Sequence, residues 1–196
     1  MKNKFIIVTG GLGFIGSSIV KKLLNLKFNV VNLDKITYAA NLEKLKEFKS
    51  FKNHYFYKCD ITDPKKLNRI FNKHKPKYVI NLAAESHVDN SINNPKNFIN
   101  TNIIGTYNLL VETNKLYQKN YNIKFVQIST DEVYGDVVKK NKSSKESDAY
   151  VPSSPYSASK ASADHLVRSW ARTYGIKYNI TCSANNYGPY QNNEKL

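Results

Sequence analysis

The chain has 196 residues, of which 41% are hydrophobic and 23% are charged, with 30 lysine and arginine residues against 15 acidic ones. These proportions indicate one globular domain. No apolar run approaches the ~18 residues of a membrane-spanning helix, and the N-terminal segment lacks the apolar core of a signal peptide. Only Cys59 and Cys182 are present, far apart in sequence, which predicts no disulfide framework and favours a reducing, cytoplasmic location.

The net charge of +15 comes almost wholly from lysine, since arginine occurs only at Arg69, Arg168 and Arg172. Proteins that read nucleic-acid bases favour bidentate arginine. We therefore interpret the charge as a solvated surface that attracts an anionic substrate, and we expect neither a nucleic-acid nor a membrane partner. The densest run, 139–145, contains serine and asparagine and predicts a loop.

Short apolar, β-branched or aromatic runs alternate with helical patterns along the chain. Six runs predict strands, at Phe5–Val8, Val30–Leu33, Tyr55–Tyr57, Tyr78–Leu82, Phe125–Ile128 and Tyr178–Thr181. Five helical patterns lie between them, over 15–26, 41–50, 64–71, 95–116 and 155–174. The alternation predicts an α/β fold over residues 1–196, a doubly wound parallel sheet with ligands at the carboxyl ends of its strands.

The turn after the first strand carries three spaced glycines, Gly10, Gly13 and Gly16. In a strand–turn–helix context these allow a tight turn, close approach of a pyrophosphate, and close packing of helix on strand. The free N–H groups of the following helix then face the phosphates. This predicts a dinucleotide site; a glycine-rich turn without a ligand is the alternative.

The second strand ends at Asp34, 24 residues beyond Gly10. An acid here accepts hydrogen bonds from ribose hydroxyls and repels a 2′-phosphate, which favours NAD over NADP, although Lys35 weakens that discrimination. A turn cap is the alternative for Asp34. After the third strand, Asp60 and Ile61 are expected to border the adenine, and Asp60 is equally suited to a turn.

The fourth strand runs into two small residues, Ala83 and Ala84, which let a cofactor lie against the backbone. His87 follows them. No cysteine or second histidine lies at metal-ligand spacing around it, so we expect no metal site. We interpret His87 as a positioning or structural residue, with a proton shuttle as the alternative.

The fifth strand ends in Ser129-Thr130-Asp131-Glu132. Adjacent carboxylates repel each other, and different surroundings can make one an acid and the other a base. A solvated acidic turn is the alternative reading of Asp131 and Glu132.

The last motif, Tyr156-Ser157-Ala158-Ser159-Lys160, places a tyrosine and a lysine on one helix face. A lysine ammonium beside a tyrosine favours the phenolate and lowers the pKa of the phenol. Tyr156 is therefore predicted to take a proton from a substrate hydroxyl near neutral pH.

Together these motifs resemble the extended short-chain dehydrogenase/reductases, a family of NAD-dependent epimerases and dehydratases with a Rossmann-like fold. Within it the chain is most similar to the dTDP-glucose 4,6-dehydratases, over Thr9–Ser17, Leu33–Ala39, Leu82–Ile92, Ser129–Gly135, Ser154–Ala161 and Asn185–Tyr190. The Asp131-Glu132 pair is the most specific element, because epimerases and decarboxylases of the family usually lack it.

The resemblance implies conversion of dTDP-glucose to dTDP-4-keto-6-deoxyglucose and water, with transient hydride transfer to NAD. Tyr156, assisted by Lys160, would remove the proton of the sugar 4-hydroxyl. Glu132 would take the C5 proton, Asp131 would protonate the departing 6-hydroxyl, and Thr130 would hydrogen-bond the sugar near O4.

The resemblance also implies a set of ligand contacts. The cofactor contacts are Gly10, Gly13, Phe14, Ile15, Gly16, Asp34, Lys35, Ile36, Thr37, Asp60, Ile61, Leu82, Ala83, Ala84, Thr101, Tyr156, Lys160 and Asn186. The substrate contacts are Ser86, Thr130 and Asn185. The helices near 95–118 and 155–174 correspond to those that pair in family dimers, so a homodimer is expected.

The chain departs from the family at Asn90, where arginine is common, and at Asn192-Asn193. Family members are also longer and carry a C-terminal lobe that binds the nucleotide half of the substrate. We expect this chain to be the NAD-binding domain with the catalytic motifs, without that lobe. Two alternatives remain: an NAD-binding module with impaired catalysis, and another nucleotide-sugar epimerase or decarboxylase.

Overall fold

The structure, a computed structural model, describes residues 4–136, 143–189 and 191. Its centre is a sheet of six parallel strands in the order β3-β2-β1-β4-β5-β6. The strands are β1 Phe5–Thr9, β2 Asn29–Asp34, β3 His54–Lys58, β4 Tyr78–Asn81, β5 Lys124–Thr130 and β6 Lys177–Ser183. The predicted doubly wound parallel sheet is confirmed, and its strand order reverses between β1 and β4, which is where such sheets bind ligands.

Seven α-helices connect the strands in the described part of the chain. They are α1 Phe14–Asn25, α2 Leu42–Phe48, α3 Pro64–His74, α4 Val88–Asn93, α5 Pro95–Phe98, α6 Gly105–Tyr117 and α7 Pro155–Tyr174. The predicted helix starts are confirmed at α3 and α7, where Asp63 and Ser154 accept hydrogen bonds from backbone N–H groups in the first turn and a proline follows each. Helix α7 ends at Gly175, whose φ is +79°.

The single helix predicted over 95–116 is wrong in detail. A π-helical segment, Ile99–Ile104, separates α5 from α6, and α4 precedes them without having been predicted. Within this segment, the Asn102 amide bonds both backbone groups of Glu85. This tertiary contact, absent from any local pattern, accompanies the widened turn, and such segments often occur at functional sites.

Two apolar clusters cover the two faces of the sheet, as the period of two along a strand requires. Ile6 and Val8 of β1 pack with α1 on one face, while Ile7 packs with α3, α6 and α7 on the other. Burial on both faces fixes the register of the central strands, and hence the positions of the residues at their carboxyl ends.

Strand β6 lies at an edge of the sheet, and most of its residues are exposed. No helix in the described residues is long and apolar enough to cross a membrane. The lysine-rich run over 139–145 is predicted to be a loop, and its first four residues lie outside the described ranges.

Candidate cofactor and catalytic site

A cavity of about 750 Å³ opens at the carboxyl ends of the strands. Its walls come from the turns after β1, β2, β3 and β4, from the end of β5, from α7, and from the segment after β6. Nearly all the predicted site residues line it: Gly10, Gly13, Phe14, Ile15, Gly16, Asp34, Lys35, Thr37, Asp60, Ile61, Leu82, Ala83, Ala84, Ser86, Thr101, Thr130, Glu132, Tyr156, Lys160, Asn185 and Asn186. Ile36 and Asp131 are the two that do not.

The glycine turn has the shape that a pyrophosphate requires. Gly10 has a φ of +64°, and a Cβ on Gly16 would lie 2.0 Å from the Gly10 carbonyl oxygen. A Cβ on Gly13 would meet only that oxygen, at 3.3 Å, so the backbone beside the cavity stays open to a ligand. Gly13 directly precedes α1, whose first N–H groups are available for phosphate oxygens.

Asp34 has a structural role as well as a position at the cavity. Its Oδ2 accepts from the backbone N–H of Leu12 (2.9 Å), and its Oδ1 accepts from that of Ile36 (2.8 Å). Ile36 has a φ of +60°, an unusual conformation for a β-branched residue. Asp34 therefore caps the turn, as the alternative interpretation expected, and it also lines the cavity. The two roles are compatible because each carboxylate oxygen has a further lone pair for a ribose hydroxyl.

The neighbouring cavity residues are also held in place. Lys35 forms an ion pair with Glu85 (2.8 Å) and donates to the Thr101 hydroxyl at 3.4 Å. Asp60 accepts from the backbone and hydroxyl of Thr62, at 2.9 and 2.8 Å, and lines the cavity at the same time.

Sequence reasoning missed a buried polar cluster beneath the site. The Thr9 hydroxyl donates to Asn81 Oδ1 (2.7 Å) and accepts from the backbone N–H groups of Leu82 and Ala83, both at 3.1 Å. Asn81 in turn donates to Thr106 and Gln127. A signal was present, because Asn81 ends the apolar run of β4 and Gln127 interrupts the apolar run of β5 between Val126 and Ile128.

A second missed residue is Asn102 of the π-helical segment. Its amide bonds both backbone groups of Glu85 and donates to the Ser159 hydroxyl (2.8 Å). Ser159 donates to the Tyr156 carbonyl. Asn102 therefore connects the loop after β4 to the helix that carries Tyr156.

Four of the five predicted catalytic side chains converge at the end of β5, and Asp131 does not. Thr130 ends the strand, Glu132 lies in the 3₁₀ turn Asp131–Tyr134, and Tyr156 and Lys160 lie on the first turns of α7. Tyr156 and Lys160 are buried, and both line the cavity with Thr130 and Glu132. Asp131 is exposed, outside the cavity, and accepts a hydrogen bond from the Thr130 hydroxyl at 3.3 Å.

The lowered pKa expected for Tyr156 is not found. Burial raises the pKa of Tyr156 to about 12; the Glu132 charge adds to the rise, and a hydrogen bond with Thr130 opposes it. Lys160 donates to the Ile128 carbonyl (2.5 Å), and burial lowers its pKa to about 8. The spacing of four residues places Tyr156 and Lys160 on one face of α7. The Lys160 ammonium, however, binds the carbonyl of Ile128 in β5, a residue outside the motif.

Two further expectations concern His87 and metals. His87 lines the cavity just before α4, and its Nδ1 has no hydrogen-bond partner within the ranges that the structure describes. No group of three or more potential metal ligands occurs among those same residues.

Comparison with known proteins identifies the family. Residues 7–196 match the family described as GDP-mannose 4,6 dehydratase. The chain belongs to this family. Among curated relatives it is 49% identical to a dTDP-glucose 4,6-dehydratase of Salmonella typhimurium and 50% identical to one of Neisseria meningitidis, each over 97% of the chain. It spans 57% and 56% of the lengths of these two relatives.

Solved structures of related enzymes superimpose on this chain. A dTDP-glucose 4,6-dehydratase of Streptomyces venezuelae, solved with NAD bound, superimposes with a TM-score of 0.90 at 40% identity, covering 98% of this chain and 59% of that one. A UDP-glucose 4-epimerase of Thermotoga maritima superimposes with a TM-score of 0.86 at 37% identity, covering 96% and 58%. The chain is thus a homologue of dTDP-glucose 4,6-dehydratases, with the fold that this family shares with epimerases.

Proposed function

We propose that the chain is the NAD-binding domain of a dTDP-glucose 4,6-dehydratase and carries the catalytic residues of that reaction. The convergence of Thr130, Glu132, Tyr156 and Lys160 on one cavity with the glycine turn carries the proposal. Identity near 49% to dehydratases supports it over the epimerase alternative, as does the Asp131-Glu132 pair.

The cavity fits NAD in its chemistry. The open backbone at Gly13 and the start of α1 suit a pyrophosphate, and Asp34 suits a ribose with free hydroxyls. Bound NAD supplies a reversible hydride acceptor, and its positive charge favours a phenolate nearby. Every proton movement falls to side chains of this chain.

Each side chain has a task that its position allows. Tyr156 accepts the proton of the sugar 4-hydroxyl, and Lys160 provides positive charge on the same helix face. Glu132 removes the proton at C5, which the neighbouring 4-keto group acidifies. Asp131 donates a proton to the departing 6-hydroxyl, which requires a substrate bound near the outer edge of the cavity.

The relatives are longer than this chain, and their additional length concerns the binding of the substrate. We propose that the corresponding C-terminal part binds the nucleotide half of the substrate, and that the protein is a homodimer in a reducing, cytoplasmic compartment. Exposed apolar residues on the π-helical segment and α6, among them Ile99, Ile104 and Tyr107, support the dimer. Two free cysteines support the compartment.

Product analysis tests this function. The chain, and a chimera that adds the C-terminal part of the Salmonella relative, are incubated with dTDP-glucose and NAD⁺, and loss of one water is measured by mass spectrometry. Conversion by either supports a dehydratase. NAD⁺ binding without conversion by both indicates the catalytically impaired module, and a product isomeric with the substrate indicates an epimerase.

Two variants of the active protein separate oxidation from elimination. Tyr156→Phe is expected to abolish the NADH absorbance that substrate produces. Asp131→Asn with Glu132→Gln is expected to preserve that absorbance and to slow water loss by about 10²–10⁴-fold, the usual effect of removing a positioned acid or base. Unchanged water loss in the double variant would exclude both carboxylates as acid and base.

A further inference from the structure

A buried carboxylate without a task in the proposed reaction lies on α7. Asp164 is 0% exposed, and it follows Lys160 by four residues, as Lys160 follows Tyr156. Residues four apart share a helix face. Arg168 adds one more turn, so the row reads phenol, ammonium, carboxylate and guanidinium.

Asp164 joins α7 to two other parts of the molecule. Its Oδ2 accepts from the Ser129 hydroxyl at 2.6 Å and from the Tyr150 hydroxyl at 3.2 Å. Ser129 directly precedes Thr130 at the end of β5. Lys160 donates to the carbonyl of Ile128, the residue before Ser129. Lys160 and Asp164 therefore join α7 to consecutive residues of β5, near the strand end that leads into the turn Asp131–Tyr134.

Tyr150 connects this carboxylate to a wider set of groups. Arg168 donates to the Tyr150 hydroxyl (2.9 Å), and its guanidinium carbon lies 4.7 Å from the centre of the Tyr150 ring. Lys160, Arg168, Tyr150 and Tyr156 are the titratable and charged groups that act on Asp164 directly, and Tyr134, Cys182 and His165 contact Tyr150 in turn. Lys160 and Arg168 are the two cations among them.

A buried carboxylate is costly unless other charges and hydrogen bonds compensate it. Oδ1 of Asp164 has no hydrogen-bond partner within the described ranges. Burial raises the pKa of Asp164, while the Ser129 hydrogen bond and the Lys160 charge lower it. In the same way the Asp164 charge raises the pKa of Lys160 against the effect of burial.

We propose that Asp164 is a positioning residue, a buried counter-charge on the helix face of Lys160 that, together with Lys160, fastens the helix of Tyr156 to the strand end carrying Thr130. The inference deepens the proposed function, on which its importance for catalysis rests. Its test needs no turnover.

Trace labelling of the purified chain with acetic anhydride across neutral and alkaline pH measures the neutral fraction of each lysine amine. Asp164→Asn removes the charge and keeps an oxygen that accepts from Ser129. The midpoint of Lys160 acetylation is expected to fall by about 1 pH unit, the lower end of the effect of a nearby opposite charge. Glu112→Gln is the matched control, because Glu112 is a buried carboxylate on α6 that pairs with Lys115; the Lys160 midpoint should stay unchanged.

A reciprocal measurement covers the case in which Asp164→Asn does not fold. In Lys160→Met labelled with carboxyl-¹³C aspartate, the titration of Asp164 should move to higher pH by the same amount, because coupling between two groups is reciprocal. An unchanged Lys160 midpoint in folded Asp164→Asn, or an Asp164 titration that Lys160→Met does not move, overturns the proposal. A shifted midpoint, where neither the chain nor the chimera dehydrates dTDP-glucose, would instead refute the proposed function alone.

Discussion

The Thr9 hydroxyl donates a hydrogen bond to the side-chain oxygen of Asn81. Thr9 and Asn81 are 72 positions apart in sequence, and they end the neighbouring strands β1 and β4. Because that hydroxyl also accepts from the two N–H groups that follow β4, one side chain of the first strand sets the path of the loop that lines the cavity. Both side chains are buried, so water cannot replace their hydrogen bonds.

Removing Asn81 should therefore destabilise the fold. In Asn81→Leu, the polar groups of Thr9, Thr106 and Gln127 lose a buried partner, and each unpaired buried group costs about 1–3 kcal/mol. We expect urea denaturation to show a loss of at least about 2 kcal/mol. Asn72→Ala removes an exposed side-chain hydrogen bond and should change stability by less than about 0.5 kcal/mol. Equal losses in both variants would contradict this reading of the cluster.

Cofactor choice should follow Asp34. We expect the chain to bind NAD⁺ at least about tenfold more tightly than NADP⁺ in calorimetry, because a 2′-phosphate would meet the carboxylate. Asp34→Asn should narrow that ratio by weakening the rejection of NADP⁺. Asp63→Asn, at the start of α3 and away from the cavity, should preserve it. Tighter binding of NADP⁺ to the unmodified chain would refute the assignment.

Two glycines of the same turn should respond differently to alanine. In Gly16→Ala the new methyl would lie 2.0 Å from the Gly10 carbonyl oxygen, so the turn must shift and stability should fall by about 1–3 kcal/mol. In Gly13→Ala the contact is 3.3 Å and faces the cavity, so the chain should remain folded but bind NAD⁺ at least about tenfold more weakly. Thermal denaturation and calorimetry distinguish them, and normal NAD⁺ binding by Gly13→Ala would contradict the predicted pyrophosphate position.

Stability should fall in mild acid because of two histidines, the half-buried His54 and the buried His74. Burial lowers the pKa of His54 to about 4 and also lowers that of His74. In the unfolded chain both have the ordinary value of about 6.5, so the unfolded state binds more protons between these limits. The stabilisation is complete above pH ~6.5 and is lost as pH falls toward ~4.

We expect His54 to contribute about 1 kcal/mol to this loss, allowing for partial screening of a half-buried ring. His54→Phe keeps the aromatic packing against Phe48 and removes the titration, so unfolding measured between neutral and mildly acidic pH should depend less on pH. The exposed His165 supplies the control, and His165→Gln should leave the dependence unchanged. An identical pH dependence in His54→Phe would show that this ring does not contribute.

The exposed apolar residues of the π-helical segment should mediate self-association. We expect a dimer at micromolar concentration in sedimentation, because Ile99 and Ile104 are exposed on one segment next to Tyr107. Ile99→Asp with Ile104→Asp should produce a monomer. Leu26→Asp, at the exposed end of α1, should remain dimeric. A monomeric unmodified chain would refute the dimer.

The sequence predicted the strands and the helix starts well because those signals are local. β-branched runs, the Asp63-Pro64 and Ser154-Pro155 pairs, and Gly175 act within a few residues of where they occur. The residues that line the cavity were also predictable, since parallel strands bring their carboxyl ends together.

What the sequence did not predict depends on partners far along the chain. The break at Ile99–Ile104 accompanies hydrogen bonds between Asn102 and Glu85, and Lys160 binds the Ile128 carbonyl instead of facing only Tyr156. Likewise, the side chain of Asp131 lies outside the cavity because the 3₁₀ turn directs adjacent residues to different sides. Asp164 shared the spacing of the Tyr156–Lys160 pair, yet its burial becomes visible only when Ser129 and Tyr150 are packed against it.

The position of β6 at the edge of the sheet makes the architecture extensible. Its outer backbone groups form a seam to which another strand can be added by ordinary ladder hydrogen bonds. The strands that position Thr130 and Ala83, by contrast, are interior and have neighbours on both sides. A strand added at this edge therefore leaves the registers of β4 and β5, and with them the walls of the cavity, unchanged.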